Sequence, residues 1–355
     1  MKSECLKSFG HEDFDTTRAR GGRWTRCPLT GCSSKLQIAP YRKRKSGLPY
    51  CPAHGIRLHT GTFVYWNGPD PEDNRQARLR NLLIRPDLAE TVALKSAGKA
   101  ETHRLGYELS EDALTWNVFV GLAEASALRD AVRALTNIET KREPCLYLWG
   151  HRVDLDGGQP ESYGPLEEVR RRLEKDIGRY KTEPDVMLVD EGRLVVCIEA
   201  KFTSGNTLAH PGPTKPREKP TDTAGLLARY LNKAACGEAT RRSIDCKMIG
   251  DRFHSQLFRN IVFASEMAPN GHWRVVNLVS QTQWRKHGNE TMKCSFESPI
   301  HDVRKYLAPA QRDKFTHETW EELYRRVICE DSRLSRVGAY LRSKSAHFER
   351  AFDLD

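Results

Sequence analysis

Two sets of residues have the types and spacing to do chemistry. In mid-chain, Pro184-Asp185 is followed, after thirteen intervening residues, by Glu199-Ala200-Lys201. Two carboxylates brought together can hold a hard, oxygen-seeking cation such as Mg2+. A lysine beside them can stabilise developing negative charge or orient and activate a water. Together these are the means to hydrolyse a phosphodiester. Nearer the N-terminus, Cys27-x4-Cys32 and Cys51-x2-His54 are separated by a spacer of eighteen residues. Two short ligand turns of this kind can surround one tetrahedral Zn2+. Four protein ligands leave no open coordination position, so this reads as a structural site. His59 is an alternative fourth ligand, but Cys51-x2-His54 is the tighter turn.

The elements that must position these groups are legible from periodicity and turn residues. Asp185 to Val189 reads as one strand, Asp190-Glu191-Gly192 as a hairpin turn, and Arg193 to Lys201 as the next strand. Val195, Cys197 and Glu199 alternate with Val196, Ile198 and Ala200. Glu199 and Lys201 therefore share a face about 7 Å apart, at the end of an apolar row. Counting back from the turn brings Asp185 to their level. Upstream, Leu109 to Leu135 reads as one long helix with Ser110 as its cap, and residues 145–151 as a strand. Downstream come helices after residue 222 and from Phe253, a strand in HWRVVNLVS, and C-terminal helices including THETWEELYRRVICED. Pro28, Gly31, Pro52 and Gly55 suit the metal turns, and so small a segment would draw folding energy from its metal.

The chain has 355 residues, enough for two or three domains, and 38% hydrophobic residues, enough for a sizeable core. We expect a metal module at 1–68, a helical linker at 69–104, a catalytic core at 105–285 with a loop insertion at 202–222, and a helical region at 286–355. The net charge of +10 is unevenly spread: residues 1–60 hold 12 basic and 4 acidic side chains, whereas 61–200 hold 19 and 25. Basic ends around an acidic middle suit a phosphate-backbone binder with carboxylates at its centre. No apolar run approaches the roughly 18 residues of a membrane span, and no signal-peptide pattern opens the chain. We expect a cytoplasmic, prokaryotic protein with no membrane partner. Nucleotide-binding glycine motifs are missing, so ATP-driven movement would need another protein.

The string Pro184-Asp185 … Glu199-Ala200-Lys201, in its helix–strand–hairpin context, resembles the PD-(D/E)xK nuclease superfamily. The likeness spans about residues 105–280. It implies an α/β, restriction endonuclease-like fold, with a mixed central sheet flanked by helices. Here that core would carry a small N-terminal zinc module and C-terminal helices. It implies Mg2+-dependent hydrolysis of DNA, with Asp185 and Glu199 as metal ligands and Lys201 as the catalytic lysine. An acid on the first core helix often completes the site in this superfamily; by position that is Glu111, with Asp112 as the fallback. The RecB-like branch places Gln-x3-Tyr on the helix after the ExK strand. Here Gln256 is followed at that spacing by Asn260, a departure from the pattern. The cysteine–histidine module resembles a zinc ribbon or zinc knuckle.

Further expected nucleic-acid contacts are Arg42, Lys43, Arg44 and Lys45 between the ligand pairs, Lys215, Arg217 and Lys219 in the insertion, and Gln256 and Arg259. The leading expectation is a Mg2+-dependent DNA endonuclease in restriction or anti-phage defence. It would act as a homodimer or with defence-system partner proteins. The alternatives are a non-catalytic nucleic-acid-binding protein, or a nuclease or scaffold subunit of a multi-protein complex.

Overall fold

Two hairpins open the fold: β1 (Trp24–Arg26) pairs antiparallel with β2 (Lys35–Gln37), and β3 (Arg57–His59) with β4 (Thr62–Val64). Three-residue strands bury little by themselves. Their core is a small cluster that includes Phe14, Leu36, Ile56, Phe63 and two of the cysteines. The computed structural model describes residues 7, 9, 13–15, 24–37, 50–59, 62–65, 79–95, 103–178, 181–213, 220–232, 234–249, 253–288, 299–347 and 349–355. The basic residues Arg42, Lys43, Arg44, Lys45, Lys215, Arg217 and Lys219 lie outside them.

Helix α1 (Pro86–Lys95) begins at a proline, whose fixed φ suits a first helical position. The long helix expected over 109–135 is two helices, α2 (Glu111–Glu124) and α3 (Leu128–Thr136). Ser126 lies at φ 52°, and the amide of Ala127 donates to the carbonyl of Leu122 at 2.8 Å. That left-handed turn closes α2, and no apolar periodicity announces it. The Glu143 carboxylate then accepts from the Leu128 amide at the start of α3. Helix α2 is also more enclosed than an amphipathic surface helix, since every residue from Ala113 to Leu122 is buried.

The central sheet is mixed and six-stranded. Its strands are β5 (Cys145–Leu148), β6 (His151–Arg152), β7 (Val186–Asp190), β8 (Leu194–Ala200), β9 (Trp273–Val279) and β10 (Phe315–Thr319). Their spatial order is β10-β9-β8-β7-β5-β6. β8, β9 and β10 run parallel, and the remaining pairs are antiparallel. The β7–β8 hairpin pairs Val186 with Ile198, which puts Asp185 opposite Glu199.

Helices cover both faces. α4 (Gly164–Leu173), α5 (Thr223–Tyr230), α6 (Glu238–Ser243) and α7 (Ser255–Met267) follow the chain order. Residues of α4, α5 and α7 pack with Val195, Cys197 and Val275 on one face. α2 packs on the other face with Val196, Ile198 and Val276. α8 (Gln281–His287) and α9 (Pro299–Lys305) precede β10. The C-terminal segment is not helical throughout. Thr316–Thr319, expected to begin a helix, instead belongs to the edge strand β10, and Ser345–Ala346 pairs with Glu349–Arg350 as a small hairpin, β11 and β12. α10 (Trp320–Leu323) and α11 (Ser335–Ser343) place Trp320, Val337 and Tyr340 in the same core cluster as α2. No helix of the described residues is long and apolar enough to cross a membrane.

Candidate active site and candidate metal centre

Lys201 is the hub of the mid-chain site. Its Nζ lies 2.6 Å from Glu199 Oε1, and both side chains are more than nine-tenths buried. Burial works against the ammonium, but the charges of Glu199, then Glu111 and Asp185, outweigh it and hold the lysine pKa above its ordinary value. One cation therefore feels all three expected carboxylates. The Lys201 amide donates to Leu278 O at 2.7 Å, and its carbonyl accepts from the Trp320 indole at 2.9 Å. Trp320, outside the span of the resemblance, is thus a support that sequence reasoning missed.

Each carboxylate is held separately. Asp185 Oδ2 accepts from the Ala200 amide at 2.9 Å. Its segment is clamped through Thr182. The Thr182 carbonyl accepts from Arg170 at 2.9 and 2.7 Å, and its amide donates at 2.6 Å to Glu174. The fully buried Glu174 also accepts from the Thr182 hydroxyl and, at 2.5 Å, from the Tyr230 hydroxyl. A buried carboxylate with three donors is a fixed strut. Glu111, one residue beyond the Ser110 cap of α2, reaches round the sheet end. Its Oε1 accepts from the amides of Phe202 and Ser204 at 2.9 and 3.3 Å, and from the Ser204 hydroxyl at 2.6 Å. Among the described residues, these carboxylates do not gather as tightly as the cysteine–histidine quartet below. They surround the lysine, each on its own protein donors.

Of the expected contacts on α7, Arg259 is only 7% exposed and its Nη1 donates to the Pro220 carbonyl at 3.3 Å. That guanidinium is committed to the protein, because a buried charge needs local partners. Gln256 is half-buried, and its Oε1 accepts from the Thr207 amide at 3.4 Å. Asn260, noted in sequence only as a departure, donates from Nδ2 to Glu199 Oε2 at 2.8 Å. Its spacing of four from Gln256 was the available signal. Asn277, opposite Glu199 on β9, accepts from Asn206 at 2.8 Å and lies 3.0 Å from His317 Nδ1.

In the N-terminal module, Cys27, Cys32, Cys51 and His54 offer ligand atoms that all lie within 4.8 Å of one another. Cys32 Sγ is 3.6 Å from Cys51 Sγ, and His54 Nδ1 is 3.6 Å from Cys27 Sγ and 3.4 Å from Cys51 Sγ. A tetrahedron with bonds of about 2.3 Å to sulfur and about 2.0 Å to nitrogen has edges of about 3.8 and 3.5 Å. The donor set and its spacing therefore fit Zn2+. His54, rather than His59 of strand β3, completes the set. Burial, then Lys7 and Arg80, pushes the His54 pKa down, which keeps the imidazole in the neutral form a ligand needs. Gly55, at φ 66°, lets its amide turn back to the Cys51 carbonyl at 2.7 Å, a conformation that disfavours a side chain. Arg80 lies 4.4 Å from the Phe9 ring centroid and donates to the His54 carbonyl, which ties the module to the segment before α1.

A mixed sheet with helices on both faces, an Asp–Glu–Lys group at its end and a Cys3His cluster at the N-terminus define a restriction endonuclease-like α/β protein with a zinc module. A family model described as restriction endonuclease associating with ARP (REase-ARP) matches residues 40–344. The chain belongs to that family. The match extends well past residues 105–280, taking in Cys51 and His54 at one end and α11 at the other. No curated protein and no solved structure matches the chain.

Proposed function

We propose that the protein is a Mg2+-dependent DNA endonuclease acting in restriction or anti-phage defence. The observation that carries this reading is the buried Lys201 ammonium, ion-paired to Glu199 and within the fields of Glu111 and Asp185. Membership of a restriction endonuclease family supports it. Asp185 and Glu199 are hard oxygen donors facing each other across a hairpin, and they suit Mg2+; Glu111 completes the set. When bound, the cation supplies Lewis-acid polarisation of the scissile phosphate. Lys201, kept protonated, acts as a fixed donor to charge that develops on phosphate oxygens rather than as a general base. Glu174 and Arg170 hold the Asp185 segment in place, and Trp320 holds the Lys201 backbone.

In this reading the zinc module helps to bind or select DNA, with Arg42 to Lys45 and the insertion lysines and Arg217 as phosphate contacts. The family description couples its members to ARP, so a protein partner belongs to the proposal. Double-strand scission with one site per chain also calls for two copies on the DNA. The test is cleavage of supercoiled, linear, single-stranded DNA and RNA with Mg2+ or EDTA. Mg2+-dependent nicking or cutting that Lys201→Ala abolishes is the expected result. Cleavage unaffected by that change would remove the active-site assignment. No cleavage by folded, zinc-loaded protein, alone or with partner, would favour a binding role.

A further inference from the structure

Helix α7 presents an almost wholly apolar surface to the sheet. Leu257, Phe258, Ile261, Val262, Phe263 and Ala264 are all fully buried. Asn260 stands among them at 2% exposure. A buried amide is costly unless it is hydrogen-bonded, so a carboxamide in this position needs a specific partner. That partner is the carboxylate of Glu199, 61 residues away in sequence and 2.8 Å away in space. The two oxygens of Glu199 are thereby made unequal. Oε1 faces the Lys201 ammonium and Oε2 faces the Asn260 amide. A carboxylate gripped at one oxygen by a donor on a rigid helix cannot turn about its own axis without breaking that bond. Because the donor is neutral, it orients the carboxylate without cancelling its charge, as Lys or Arg at this position would.

We propose that Asn260 is a positioning residue for Glu199. It holds Oε2 so that Oε1 remains the oxygen presented to Lys201 and to a divalent cation. This inference rests on the nuclease reading of the same site. It adds a named residue, on an element outside the Asp–Glu–Lys string, that sets the geometry of the carboxylate. Asn260 acts only through Glu199.

The test is Mn2+ binding to the full-length, zinc-loaded protein without DNA, followed by electron paramagnetic resonance and by the metal-induced rise in melting temperature. Wild type, Glu199→Ala, Asn260→Leu and Asn260→Ala are compared. Asn260→Leu keeps the forked shape of the side chain and suits the apolar surroundings, and its metal-free melting temperature reports whether it is folded. Asn260→Ala is a second variant should leucine not pack. Wild type should bind Mn2+ at a site lost in Glu199→Ala, and the folded Asn260 variants should bind it about tenfold more weakly or worse, the usual effect of losing an outer partner of a ligand. Binding within about twofold of wild type by a folded Asn260 variant would overturn the positioning role, being well inside the tenfold range for such partners. If wild type shows no Glu199-dependent Mn2+ binding, the metal-site reading fails and takes this inference with it. The Glu199→Ala arm therefore distinguishes the two failures.

Discussion

The N-terminal module and the central sheet both gather cation-binding side chains, but in opposite orders of cause. In the module, three-residue strands and a small cluster surround Cys27, Cys32, Cys51 and His54. Two of those cysteines, Cys27 and Cys51, belong to the core itself. Zinc there would be part of the fold. In the sheet, six strands pack between two large apolar clusters, a core with no metal ligand as its centre. The carboxylates are already held by protein donors: Asp185 by Ala200, Glu111 by Phe202 and Ser204, and Glu199 by Lys201 and Asn260. One region would need a metal to become structured, whereas the other would be structured first and then be able to use one. The difference follows from size, since short chains cannot bury enough apolar surface to offset their entropy.

The sharpest way to break this contrast is to remove the zinc. Zinc binding in small modules is worth roughly 10 kcal/mol or more of folding free energy. Cys51→Ser, or a strong chelator, should therefore unfold the β1–β2 and β3–β4 hairpins while β7 and β8 keep their protection. Hydrogen exchange read segment by segment checks this, and simultaneous loss of protection in both regions would end the contrast. The next largest effect belongs to the sheet. Glu199→Gln should lower Mg2+-dependent cleavage by about 10²–10³-fold or more, in the range of losing a key electrostatic group, with the metal module intact. Circular dichroism and zinc content verify that the fold and the module survive.

A smaller effect tests whether the sheet core stands on its own packing. A Cβ at Gly121 would lie 2.2 Å from Val337 Cγ2, where α2 crosses α11. Gly121→Ala should cost about 1–3 kcal/mol, the range of an overpacked core, measured as a lower denaturant midpoint. The zinc module should be unaffected. The smallest effect is a pH slope. Burial, with a further contribution from His254, pushes the His317 pKa down from 6.5 to about 4. The unfolded chain then binds more protons than the folded one between those values. His317 thus contributes stability that is present above pH 6.5 and is lost as pH falls through that window. His317→Gln should reduce the drop in melting temperature between pH 7 and pH 4 relative to wild type; an unchanged drop would mean that other groups set the slope.

Much of the site was legible along the chain because it is local. The β7–β8 hairpin carries Asp185 and Glu199 with a period-two pattern, so strand geometry alone puts Glu199 and Lys201 on one face. The cysteine–histidine quartet was equally legible because ligand turns are short. The helix break at Ser126 was not, since a left-handed serine leaves no trace in apolar periodicity. Nor was β10, whose sequence FTHET alternates weakly and runs into a helical pattern; parallel pairing with β9 decides its state.

What the amino-acid sequence determined by itself was donor type and local spacing: hard oxygens with a lysine at one place, thiols with an imidazole at another. Tertiary structure decided how distant groups are held around the mid-chain site. Glu111 reaches Ser204 across 93 residues, Asn260 reaches Glu199 across 61, and the Trp320 indole holds Lys201 across 119. Such contacts carry no sequence period. They arise when apolar burial brings elements together, and each buried polar group must then find a partner within hydrogen-bond reach.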